Sequence, residues 1–137
     1  MLIDDSDIDL FIQRRFLEVY KFANQLVLYK SAEAALDWLR NLNGEPAPDI
    51  IFLDLNMPEF DGFSFLSSFS SLPEKITKTS KIVVLTSSNS AKDKEQALGN
   101  ASVIQFITKP IRQSDLEGTQ KENGQLSVYW SSHDLNF

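Results

Sequence analysis

The stretch "IIFLDLNMPEFDGFSFL", residues 50–66, decides the fold. Four apolar residues run into a lone Asp54, the chain breaks at Asn56-Met57-Pro58, and Gly62 opens a new apolar run. A short continuous apolar run bounded by turn residues reads as a strand buried on both faces. Taken alone, Asp54 is explained as the end of that strand, because Asp has low β propensity and begins turns. The sharper alternative is that a buried strand presents a carboxylate to a site.

Outward from this stretch the chain alternates β-rich runs with helical segments. Met1-Leu2-Ile3 reads as a first strand, followed by a helix with Ile8, Ile12, Phe16 and Val19 on one face. "NQLVLYK" (24–30) is a second strand; Ser31 caps a helix whose Ala35, Leu39 and Leu42 share a face before "NGEPAP" ends it. "DIIFLD" (49–54) is the third strand, and Gly62, Phe65, Leu66, Phe69 and Leu72 form a helical stripe ended by Pro73. "KIVVLT" (81–86) is a fourth, Ser90 starts a weakly amphipathic helix to Leu98 with Asp93 as its acidic capping partner, and "VIQFIT" (103–108) is a fifth. Five strands joined by helical crossovers imply a parallel sheet covered on both faces, with ligands bound at the carboxyl ends of the strands.

Composition narrows the chemistry. With 137 residues the chain forms one domain, and 42% hydrophobic against 23% charged residues is ordinary for a soluble globular protein. No apolar run approaches the roughly 20 residues of a membrane helix. The absence of cysteine excludes disulfides, thiolate metal sites and cysteine nucleophiles, and the first residues lack the basic segment plus apolar core of a signal peptide, so a cytoplasmic location is expected. A net charge of -6 disfavours nucleic acid and anionic membranes and favours a protein partner.

The first strand ends at Asp4-Asp5, the third at Asp54, the fourth at Thr86 and the fifth at Lys109, so each central strand brings a polar group to one edge. Singly, each has a plain structural explanation: Asp5 or Ser6 as a helix cap, Thr86 as a strand-end hydroxyl, Lys109 as a surface charge. Together they do not, because three converging carboxylates without a cation repel one another and force one to hold a proton. A divalent cation resolves the conflict, and Mg²⁺ suits a site with few carboxylates and positions open to phosphate oxygens. With a lysine alongside, this is equipment for phosphoryl transfer, with Asp54 as candidate nucleophile.

These residues resemble the receiver domain of two-component response regulators. Asp4 and Asp5 in "LIDDSDID" match its acidic pair, Asp54 in "FLDLNMPEFDG" its phosphorylated aspartate, and Thr86 in "VVLTSS" and Lys109 in "FITKP" its remaining site residues. Phe106 falls at its switch aromatic, and the resemblance spans about residues 1–116 of a single receiver domain taken as 1–137. It implies an α/β fold with a doubly wound, five-stranded parallel sheet in flavodoxin-like order 2-1-3-4-5 and helices on both faces. It further implies a phosphoacceptor that assists its own phosphorylation and dephosphorylation rather than a turnover enzyme. In that reading Asp54 attacks a phosphohistidine of a sensor histidine kinase or histidine phosphotransfer protein. Mg²⁺ is held by Asp5, Asp54 and the Asn56 backbone carbonyl, with Asp4 acting mainly through metal-bound water. Lys109 pairs with a phosphoryl oxygen; Thr86 moves to another, Phe106 turns inward, and the surface of the Ser90 helix and last strand changes for a downstream protein target. A cis Lys109-Pro110 bond is implied as well.

Two features depart from the pattern. Only three residues precede Asp4, short for a central strand, which points to residues missing upstream. Gly118 and Gly124 fall where a closing helix should cover the sheet, so that helix is expected to be short or broken, with Leu126, Val128, Tyr129 and Trp130 packing on the core and His133 solvated. Rival readings fare less well. A haloacid-dehalogenase-like phosphatase resembles Asp-x-Asp at the nucleophile, where this chain has Asn56; a flavodoxin-like flavin carrier needs a hydroxyl- or glycine-rich phosphate loop where this chain has "DDSDID"; and a degenerate receiver-like scaffold would not keep the whole set.

Overall fold

A computed structural model describes residues 1–57, 61–87 and 90–122. The expectations for Pro58 and for Gly124, Leu126, Val128, Tyr129, Trp130 and His133 lie outside the described residues. The elements run β1 (Leu2–Ile3), α1 (Asp7–Val19), β2 (Leu28–Tyr29), α2 (Ala32–Arg40), β3 (Ile50–Asp54), α3 (Gly62–Phe69), α4 (Glu74–Thr79), β4 (Lys81–Thr86), α5 (Ala91–Leu98), β5 (Val103–Thr108) and α6 (Gln113–Glu122). All strand pairs are parallel and the sheet order is β2-β1-β3-β4-β5, as the resemblance implied.

Alternation along the central strands splits the core in two. Ile51 and Leu53 of β3 with Ile82 and Val84 of β4 face α2, α3, α4 and α5; Ile50, Phe52, Val83 and Leu85 face α1 and α6. Four helices begin on a side-chain cap of the expected chemistry. Ser6, Ser31, Asp61 and Ser90 accept the N–H of Asp9, Ala34, Ser64 and Asp93 at 3.2, 3.2, 2.8 and 3.2 Å. Gly62 is required for another reason, since a Cβ there would stand 2.6 Å from Leu55 Cα and 2.9 Å from Asp54 O. The α3 start is therefore pressed against the strand end that carries Asp54.

Four expectations are corrected. Of the α1 stripe Ile8, Ile12, Phe16 and Val19, only Phe16 packs against the core: Ile8 is 72% and Val19 56% exposed, while Leu10, Gln13 and Leu17 are buried. The apolar count misled because Gln13 occupies a core position, where its Oε1 accepts the Ile111 N–H at 3.1 Å and satisfies the buried amide. "NQLVLYK" pairs as a strand only at Leu28 and Tyr29, because β1 offers only Leu2 and Ile3 to pair with. The stripe from Gly62 to Leu72 is not one helix: α3 stops at Phe69, and Pro73 starts α4, its carbonyl accepting the Ile76 and Thr77 N–H groups while Ile76 is buried.

Nor is the closing helix broken at Gly118, since α6 runs through it. A register shift opposite Ile82 and Val83 places Gln105 on the α6 face, where its Nε2 donates to Asp115 O at 3.0 Å and its Oε1 accepts from Thr119. A Cβ at residue 118 would meet that Nε2 at 3.1 Å, so the glycine makes room for the strand's amide.

Gly62→Ala should lower stability by about 1–3 kcal/mol, the usual cost of forcing extra volume against fixed atoms. Gly99→Ala, whose nearest neighbour would be at 3.3 Å, serves as the mild comparison in urea unfolding. Equal midpoints for the two variants would contradict the close approach at Asp54.

Candidate functional site

Parallel strands of matched register end in one row, so the sheet itself assembles the site. Asp4 follows β1, Asp54 closes β3, Thr86 closes β4 and Lys109 follows β5. Backbone bonds extend the alignment past the strands, from Asp4 N–H to Tyr29 O at 3.1 Å and from Lys109 N–H to Thr86 O at 2.8 Å. The Lys109-Pro110 peptide is cis. Oxygens of Asp4, Asp5 and Asp54 lie within 4.8 Å of one another, with Asp4 and Asp54 buried and Asp5 exposed.

Both Asp4 carboxylate oxygens are hydrogen-bonded. Its Oδ1 accepts the Ser6 N–H at 3.0 Å and its Oδ2 accepts Lys109 Nζ at 2.6 Å. Lys109 also donates to Asp9 Oδ2 at 3.0 Å and stands 3.7 Å from Asp54 Oδ1. Asp54 Oδ1 takes the Asn56 N–H at 3.2 Å, while Asn56 Nδ2 donates to the Thr86 hydroxyl at 2.9 Å. Thr86 is buried, and Phe106 is half-buried against the α2–α5 side of the core, in register with Val84.

The electrostatics follow from this crowding. Burial pushes the Asp54 carboxyl above its usual range; Lys109 pulls it back, Asp4 adds to the rise, the Asn56 N–H opposes it and Asp5 adds a little more. For Lys109, burial acts to lower the pKa, but hydrogen bonds to Asp4 and Asp9 and the charge of Asp54 outweigh it and keep the ammonium charged. Hard carboxylate oxygens gathered beside one cation fit Mg²⁺, which takes oxygen ligands and keeps open positions.

All seven residues singled out from the sequence lie at this edge or, for Phe106, on the strand leading to it. Sequence reasoning missed Asp9, Gln13 and the Asn56 side chain. A signal for Asp9 was available: it stands three residues after Ser6, the acidic position of a capping box. A cavity of about 560 Å³ at the opposite edge, lined by Met1, Phe22, Trp38 and Phe52 among others, gathers no comparable set of charges.

The family model described as "Response regulator receiver domain" matches residues 1–120. The probable methanogenesis regulatory protein FilR2 of Methanothrix harundinacea is 30% identical over 132 residues, covering 95% of this chain and 81% of that protein. Hybrid signal transduction histidine kinase L of Dictyostelium discoideum is 26% identical over 125 residues, 91% of this chain but 7% of that much longer protein. The crystal structure of a response regulator receiver protein from Dyadobacter fermentans is similar with a TM-score of 0.79 and 32% identity, covering 88% of this chain and 94% of that one.

A carboxyl whose folded pKa lies above its unfolded value of about 3.8 costs stability as pH rises through the interval between the two. In EDTA, Asp54→Asn should therefore melt a few degrees above the parent at neutral pH, with the gap closing below about pH 4, where both states are protonated. A gap that is constant from pH 4 to 8 in thermal melts would show that Asp54 carries no such burden.

Proposed function

The chain belongs to the response regulator receiver domain family of two-component signalling, and from that premise we propose that Asp54 accepts a phosphoryl group from a phosphohistidine of a partner protein. The supporting observation is the meeting of Asp4, Asp5, Asp54 and Lys109 at one sheet edge, one lysine beside two buried carboxylates and an exposed one. Receiver domains bind Mg²⁺ at an acidic pocket, and Asp5, Asp54 and the Asn56 backbone carbonyl would hold it here, with Asp4 contributing through water. When bound, Mg²⁺ neutralises charge on the phosphoryl oxygens.

In the transfer, an Asp54 carboxylate oxygen forms the bond to phosphorus as the phosphorus–nitrogen bond to the partner's histidine breaks, and the electron pair leaves with the imidazole. Asp54 Oδ1 is tied by the Asn56 N–H, whereas Oδ2 accepts no hydrogen bond among the described residues, which makes it the oxygen suited to attack. Lys109 pairs with a phosphoryl oxygen and offsets the charge that Asp54 brings. Hydrolysis of the acyl phosphate returns the carboxylate, so the domain serves as a phosphoacceptor that assists its own loading and unloading rather than as a turnover enzyme.

Output follows from Thr86. Its hydroxyl accepts from Asn56 Nδ2, and movement toward a phosphoryl oxygen breaks that bond and opens space beside Phe106. Phe106 has no hydroxyl to hydrogen-bond in water, so the buried rotamer is favoured even before phosphorylation. The face of α5 and β5 then changes for a downstream protein. A sensor histidine kinase or histidine phosphotransfer protein is the donor, and residues 1–137 act as one cytoplasmic receiver domain with neither nucleic acid nor membrane as direct partner. Among the described residues no helix is long and apolar enough to cross a membrane.

With Mg²⁺ and acetyl phosphate, intact-mass measurement should show one acid-labile phosphoryl group, absent in Asp54→Asn; Asp5→Ala should lose both Mg²⁺ binding by calorimetry and the mass gain. An Asp54→Asn variant labelled at the parental rate sinks the nucleophile assignment. For the switch, Thr86→Ala should weaken the NMR response of the α5–β5 surface to beryllofluoride, with the Phe106 ring already sampling the inward position in the free parent; an undiminished response or a ring held outward contradicts it.

A further inference from the structure

We propose that Asp9 is a positioning residue for Lys109, holding its ammonium on the α1 side of the site and away from Asp54 until a phosphoryl oxygen competes for it. The inference rests on the phosphoacceptor reading of Asp54. Lys109 Nζ donates to Asp4 at 2.6 Å and to Asp9 at 3.0 Å, whereas Asp54 Oδ1 at 3.7 Å is beyond hydrogen-bond reach. Two of the ammonium's three donors are thus committed to groups other than the nucleophile.

Local structure explains why Asp9 is available for this. An acid three residues after a helix N-cap ordinarily reaches back to the N-cap N–H. Here the Ser6 N–H already donates to Asp4 Oδ1, so the Asp9 carboxylate turns to Lys109 instead. One turn later on α1, Gln13 accepts the Ile111 N–H, so a single helix face holds both the head of Lys109 and the backbone two residues beyond it.

The two carboxylates that hold Lys109 differ in what releasing it would cost. The Asp4 side chain is 1% exposed, and separating it from the lysine would leave a buried charge unpaired. The Asp9 side chain is 39% exposed, so water replaces the lysine there at little cost. Asp9 is therefore the partner that an incoming phosphoryl oxygen displaces, and its grip sets how readily Lys109 is recruited.

The test is the affinity for beryllofluoride in Mg²⁺, as a phosphoryl stand-in, measured for the parent, Asp9→Asn, Asp9→Glu, Lys109→Ala and the Asp9→Asn/Lys109→Ala pair. Asp9→Asn should tighten binding about two- to fivefold, the scale of releasing one partly exposed ion pair. Asp9→Glu should return toward the parent, and the gain from Asp9→Asn should vanish without Lys109. A general change in net charge or in helix stability would not depend on Lys109. Unchanged or weaker binding in Asp9→Asn, or the same gain in the Lys109→Ala background, overturns the role of Asp9 while the phosphoacceptor reading stands. A folded parent that binds no beryllofluoride overturns both.

Discussion

Three carboxylates within 4.8 Å of one another need a positive charge, and the Lys109 ammonium supplies it. The requirement reaches across the chain, since Asp4 and Lys109 are 105 residues apart and meet only if β1, β3, β4 and β5 end in one row. Three fold features near the site serve that alignment. Leu55 N–H continues the ladder to Leu85 O, Gly62 lets α3 begin against the Asp54 carbonyl, and Gln13 pins the loop after Lys109. Burial, with the neighbouring Asp4 carboxylate adding to it, leaves Asp54 with a raised pKa despite Lys109, so the site is stable enough to form but is eased by an added cation.

Much of this was legible in the sequence because parallel strands buried on both faces leave little choice. Ile50–Asp54 and, after the leading Lys81, Ile82–Thr86 have only apolar residues to bury until their last position, so the next polar side chain marks the strand end and, in a parallel sheet, the functional edge. Capping was equally local: Ser31 and Ser90 have the right side chain immediately before a periodic run, and both accept the expected N–H.

What escaped the sequence depends on partners distant along it. The α1 face was misread because apolar periodicity cannot know that Gln13 is satisfied by Ile111, 98 residues away. Ile8, Phe11 and Val19 were thereby left on the outside, an apolar stripe on a helix whose buried side carries a polar residue. Asp9 looked like one more acid near a helix start, and only the diversion of the Ser6 N–H to Asp4 gives its carboxylate another partner. Gly118 carried the opposite meaning to its helix propensity, because the amide of Gln105 occupies the space a side chain would take.

The Gln105 anchor also decides how α6 opens. A ten-residue helix with an internal glycine is too short to persist alone, so its local stability is borrowed from the strand it is fastened to. Gln105 and Phe106 are adjacent residues on opposite faces of β5, one gripping α6 through Asp115 and Thr119 and the other facing α5. Strand and helix consequently make one cooperative unit, in which slow amide exchange in α6 reports on the integrity of β5 rather than on the helix itself.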